Sequence, residues 1–255
     1  MNDSQNLEMK MHAATETLST QDGPMKLYEA VPGASAVAPR SAVIVIQEGF
    51  GVDPYIQSLA HRYAEAGHLA VAPHLFHRTG DPELGYDDPT LAFPHIRALT
   101  QEGLLTDAAA TLGHIEQSGI PASRVGVIGF SMGGSVVMAL SAALALGAGV
   151  SFCGGGGGGL TQARLFGLPP LIEVAKGFRT PWLGHFGDLD EYIPIAEVEQ
   201  LRAAAALSPV DTEVVRYAEA GHDFYCDARP QHLHEKSAVE AWRLTDEFLD
   251  HRLRN

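Results

Sequence analysis

The sequence has little cysteine, few basic residues and no long apolar run. Two cysteines, Cys153 and Cys226, in 255 residues are too few for a disulfide framework, so a reduced compartment is expected. Lys and Arg number 17 against 31 Asp and Glu, giving a formal charge of −14. That balance argues against nucleic acid and anionic membrane as partners and favours plain solubility. The opening residues, Met1-Asn-Asp-Ser-Gln-Asn6, lack the basic-then-apolar pattern of a signal peptide. The apolar stretch 135–146 is too short to cross a bilayer. Together these absences predict a soluble, cytoplasmic protein. Hydrophobic residues at 45% and charged ones at 19% are ordinary globular values, and the length suits one α/β domain.

What is present centres on Gly129-Phe130-Ser131-Met132-Gly133-Gly134. Before it, 124–129 is short, apolar and rich in β-branched residues, the pattern of a buried parallel strand. After it, 135–146 is apolar on almost every side, which predicts a buried helix. Ser131 therefore sits where a buried strand turns into a buried helix. That is the G-x-S-x-G nucleophile elbow, a sharp turn that exposes a serine hydroxyl above a sheet. The helix points its amino end at Ser131 and favours negative charge developing there.

The rest of the chain supplies the sheet. A hairpin at the sheet edge is expected from 7–18 and 25–30, which flank the turn signal Gln21-Asp-Gly-Pro24. Strands are predicted at 41–46, 68–72, 149–153, 180–186 and 212–217. Helices are predicted at 53–66, over most of 91–118 with a break near Gly103, at 195–205 and at 237–252. Strands alternating with helices at short spacing imply a mostly parallel, twisted sheet with helices on both faces. The expected organisation is a single domain over 1–255. Within it, 1–8 is a disordered tail, and 154–178, opening with six glycines, is a flexible insertion near the site.

A serine hydroxyl needs a base, and in an elbow hydrolase the partners follow in the order serine, acid, histidine. The strand ending at Phe186 leads into Gly187-Asp188-Leu189-Asp190-Glu191-Tyr192-Ile193-Pro194. The strand ending at Tyr217 leads into Ala218-Glu219-Ala220-Gly221-His222. His222 is the expected base. The acid is Asp190 or Asp188, with Asp190 favoured by the apolar turn after it; its task is to fix the imidazole tautomer. The oxyanion hole is expected from the N–H of Met132 and the N–H of Gly49 or Phe50, in the loop after strand 41–46.

With these residues in hand, the chain resembles the dienelactone hydrolase family of α/β hydrolases. Five pieces carry the likeness, in order, over about residues 20–250: Gln47-Glu48-Gly49-Phe50-Gly51, the run 72–78, the elbow, 187–194, and Ala220-Gly221-His222. The resemblance implies the α/β-hydrolase fold and a cofactor-free serine hydrolase cleaving a small ester or lactone through an acyl-enzyme, and it places the acid at Asp190. Two departures stand out. Members that open dienelactone have cysteine where this chain has Ser131, and there the glutamate matching Glu48 helps activate the thiol. The family also holds a substrate carboxylate with two arginines. Arg78 matches one, while the other falls near Cys226, with Arg229 close by but off register. A substrate with less need for a carboxylate clamp is therefore expected.

Glu48, Phe50, Arg78, Tyr192 and Phe224 are the candidate substrate contacts, and about half of the aromatic residues Phe50, Phe130, Tyr192, Phe224 and Tyr225 are expected to be plain core. His74 and His77 lack metal-ligand spacing with His222, so no metal is expected. The six glycines lack the Lys-Ser/Thr of a phosphate-binding loop. The partner is a small-molecule ester or lactone, and the protein a monomer or small homo-oligomer. Two rivals remain on the same residues: amide cleavage of the peptidase or acyl-peptide hydrolase kind, and a non-catalytic binder of small ligands.

Overall fold

The structure, a computed structural model, describes residues 11–33, 38–155, 159–162 and 165–254. The expected disordered tail, 1–8, lies outside them, as do three of the six glycines, 156–158. Eight strands form one sheet: β1 (His12–Thr20), β2 (Gly23–Val31), β3 (Ala42–Ile46), β4 (Leu69–Pro73), β5 (Val125–Phe130), β6 (Ala148–Phe152), β7 (Trp182–Gly187) and β8 (Thr212–Tyr217). Their order is β1-β2-β4-β3-β5-β6-β7-β8. The β1–β2 and β2–β4 pairs are antiparallel and every later pair is parallel. This is the α/β-hydrolase arrangement, with the expected hairpin at one edge.

The central strands β3, β5 and β6 are buried at every position, as uninterrupted apolar runs must be when helices cover both faces. One face carries α1 (Pro54–Glu65) and α7 (Glu235–Leu253), linked by an Arg62–Asp246 ion pair. α3 (Gln101–Gln117), α4 (Met132–Ala143), α5 (Leu171–Ala175) and α6 (Ile195–Ala205) touch one another in sequence around the other. Among the described residues no helix is long and apolar enough to cross a membrane.

The helical stretch after residue 91 breaks at Leu99–Thr100, just ahead of Gly103: α2 (Phe93–Ala98) ends there, and Thr100 caps α3 by accepting the Gly103 N–H on its side-chain oxygen. The segment expected to be a flexible insertion, 154–178, is seated in the core where it is described. Leu160, Leu171 and Phe178 are fully buried, and Glu197 takes the Leu160 and Thr161 N–H groups. Gly155 exchanges two hydrogen bonds with the Ser135 hydroxyl at the start of α4.

Behind the site, His185 in β7 is fully buried between the Tyr217 and Thr245 hydroxyls, and burial pushes its pKa down to about 3. It is a neutral core histidine, bonded through both ring nitrogens.

Candidate active site

The elbow is built by close approach. A Cβ on Gly129 would sit 2.3 Å from the Gly133 carbonyl oxygen, and one on Gly133 would sit 2.4 Å from the Gln47 carbonyl oxygen. Only glycine lets β5, α4 and the loop after β3 meet this tightly. Between the two, Ser131 adopts φ 51°, ψ −115°, a conformation that side-chain-bearing residues rarely take. Its N–H is held by the Phe152 carbonyl of β6.

The two later loops are fastened to each other. Asp188 N–H donates to the Tyr217 carbonyl and Leu189 N–H to the Ala220 carbonyl, both at 2.9 Å. That pairing carries the acid from the end of β7 to the histidine beyond β8. Ser131 Oγ lies 2.8 Å from His222 Nε2, and His222 Nδ1 lies 2.7 Å from Asp190 Oδ2. Asp190 Oδ1 accepts the Tyr192 and Ile193 N–H groups, so the carboxylate cannot rotate away. A carboxylate only accepts, which puts the imidazole proton on Nδ1 and leaves Nε2 as an acceptor facing the Ser131 hydroxyl. Asp188, the other candidate acid, is bound by Arg216 Nε and Nη2 at 2.7 Å each and makes no bond to His222.

Burial alone would lower the His222 pKa. The hydrogen bond and charge of Asp190, with smaller contributions from the Asp223 and Glu48 carboxylates, overcome it and raise the value. The site therefore favours a proton on this imidazole more than water does.

The candidate substrate contacts divide. Tyr192 is exposed and stands edge-on to the His222 ring at 5.1 Å. Phe50 packs edge-on against Tyr86. Phe224 is a correction: it is fully buried and packs on Phe152, Tyr217 and Tyr225, so it is core. Phe130 is core as well. Arg78 is a second correction, because its guanidinium is committed to both oxygens of Asp107, to Asp22 and to the Gly103 carbonyl. It is not free to clamp a carboxylate.

Arg229 is what sequence reasoning undervalued. It is nearly buried, with Nη2 on both oxygens of Glu48 (2.7 and 2.5 Å) and Nη1 on Asp223. Phe50 and Tyr86 lie against its guanidinium face. Residue counting placed Arg229 out of register, but turns closed by Cys226 N–H on Asp223 and Arg229 N–H on Cys226 coil the chain back. Glu48 also accepts from the Tyr225 hydroxyl at 2.6 Å. Burial raises the Glu48 pKa, against the pull of Arg229. Gln47 ties the same loop to the end of β4 by accepting the Leu75 N–H.

Among the described residues, one group of potential metal ligands converges: Cys153, Asp190 and His222 offer atoms within 4.8 Å of one another. Two of the three are already bonded to each other as the acid–imidazole pair. His74 and His77 pair instead with Asp81 and Asp107.

With the site in view, relatives can be compared. The model of the dienelactone hydrolase family matches residues 27–253. The chain belongs to this family. It is accordingly a hydrolase of the ester and lactone class on the α/β-hydrolase fold. A Yersinia pestis protein named "Putative carboxymethylenebutenolidase" is 32% identical over 244 residues, covering 94% of this chain and 89% of that one. A carboxymethylenebutenolidase of Rhodococcus opacus is 31% identical over 212 residues, covering 82% and 80%. A solved "Putative Dienelactone Hydrolase" of Klebsiella pneumoniae superposes with a TM-score of 0.85 at 31% identity, over 94% of this chain and 98% of that one.

Proposed function

We propose that this dienelactone hydrolase family member cleaves small carboxylic esters or lactones by a serine acyl-enzyme route. The observation that carries the reading is the unbroken relay from Ser131 Oγ to His222 to Asp190, at 2.8 and 2.7 Å. Ser131 attacks the carbonyl carbon while His222 Nε2 takes its proton. The N–H groups of Met132 and Gly49 stabilise the oxyanion, and Phe50 and Tyr192 contact the substrate. His222 then returns the proton to the leaving oxygen; for a lactone the alcohol stays tethered to the acyl group. Water, activated by the same imidazole, attacks the acyl carbon and releases acid and free Ser131. Asp190 orients the ring throughout.

A fluorophosphonate probe tests the assignment of the nucleophile. The expected adduct is one phosphonyl group on Ser131, found by peptide mass mapping. Labelling at another residue, or none, rejects it.

The pH profile tests the base. His222 must be neutral to accept the serine proton, and Asp190 holds its pKa above the ordinary imidazole value. Activity therefore falls as pH drops through a value above that of an ordinary histidine, and kcat/KM for p-nitrophenyl acetate should show that acid limb. Asp190→Asn should move the limb to lower pH while depressing the plateau. A wild-type limb at or below the ordinary histidine value contradicts the role.

A further inference from the structure

The charges around this site point away from anionic substrates. Resting on the hydrolase reading above, we propose that Asp223 and Glu48 withdraw Arg229 from substrate, so that the site takes uncharged or cationic esters and lactones and rejects carboxylate-bearing ones.

A carboxylate clamp needs a guanidinium with two unsatisfied N–H donors facing the ligand. Arg229 has at most one to offer, the second N–H of Nη1. Nη2 serves both oxygens of Glu48, Nη1 serves Asp223 at 2.8 Å, and Nε points at Cys226 Sγ at 3.4 Å. Phe50 and Tyr86, themselves in edge-on contact, lie against the guanidinium. Tyr86 is itself anchored by its hydroxyl to Asp53, which caps α1. The other arginine the family pattern suggests, Arg78, is equally engaged by Asp107 and Asp22.

The balance of charge in this cluster is negative. Glu48 and Asp223 pair with the cation Arg229, Asp53 joins the cluster through the Tyr86 hydroxyl, and Asp190 adds a fourth carboxylate at the imidazole. Asp190 bonds the His222 ring and Asp223 is the next residue after His222, so carboxylates adjoin the reacting centre. A substrate carboxylate entering there meets repulsion with no free pair of donors to compensate it.

Three p-nitrophenyl esters of matched length separate the possibilities: the hexanoate, the adipate monoester, and a hexanoate tipped with trimethylammonium. With wild-type protein, kcat/KM for the adipate should be lower than for the hexanoate by about tenfold or more, equivalent to roughly 1.4 kcal/mol. The cationic ester should match or exceed the hexanoate. Asp223→Asn removes one negative charge and loosens Nη1, and should shrink the hexanoate-to-adipate ratio by about threefold or more. The ratio is read within one variant, so a loss of overall activity does not blur it. Adipate cleaved as well as hexanoate overturns the charge inference and leaves the hydrolase reading standing. An unchanged ratio in Asp223→Asn removes Asp223 from it. No turnover of any ester, together with no fluorophosphonate adduct, overturns the hydrolase reading and this inference with it.

Discussion

Ser131→Ala is expected to lower p-nitrophenyl acetate turnover by about four to six orders of magnitude. Its far-UV circular dichroism should match that of the parent. The substitution removes one oxygen, whose observed partner is His222 Nε2. Nothing that shapes the elbow depends on that oxygen. The Gly129 and Gly133 contacts are made by backbone, and the Ser131 N–H on Phe152 survives in alanine. Alanine meets the same difficulty at φ 51° as serine, so the strain is common to both variants. On the proposed mechanism, the rate that remains comes from the oxyanion donors acting without a nucleophile. Turnover within tenfold of wild type would mean that another group attacks the ester.

The parts of this site that could be read from the sequence are those set by local pattern. β5 and α4 announce themselves by apolar run length, and the glycines between them by the need for backbone contact. β8 and α6 fall where periodicity puts them. The parts that could not be read depend on partners far along the chain. Asp188 and Asp190 share a loop and a composition. What separates them is Arg216, 28 residues downstream of Asp188, which claims one and leaves the other to His222. Phe224 lies two residues from His222, yet its ring turns into the core against Phe152 of β6, a direction that sequence does not encode. Arg78 sits in a well-matched motif but meets Asp107 of α3, so motif position alone overstated its availability. Arg229 fails the opposite way: two tight turns bring it to Glu48 although its spacing from His222 is wrong for the family.

That pair carries the largest expected effect on stability. Glu48 is 2% exposed, and Arg229 supplies the positive charge that offsets its burial. Arg229→Met keeps most of the apolar stem but leaves the carboxylate with only the Tyr225 hydroxyl. An uncompensated buried charge of this kind costs about 3–5 kcal/mol, which urea unfolding monitored by circular dichroism measures directly. Activity should fall as well, since Glu48 adjoins Gly49, the proposed oxyanion donor. The double variant Glu48→Gln, Arg229→Met removes both charges. It should recover more than half of the lost stability, because a neutral amide is far cheaper to bury than a carboxylate. A double variant no more stable than Arg229→Met would point to a different cause. Arg229 would then hold the loop by packing its guanidinium against Phe50 and Tyr86, and its charge would contribute little.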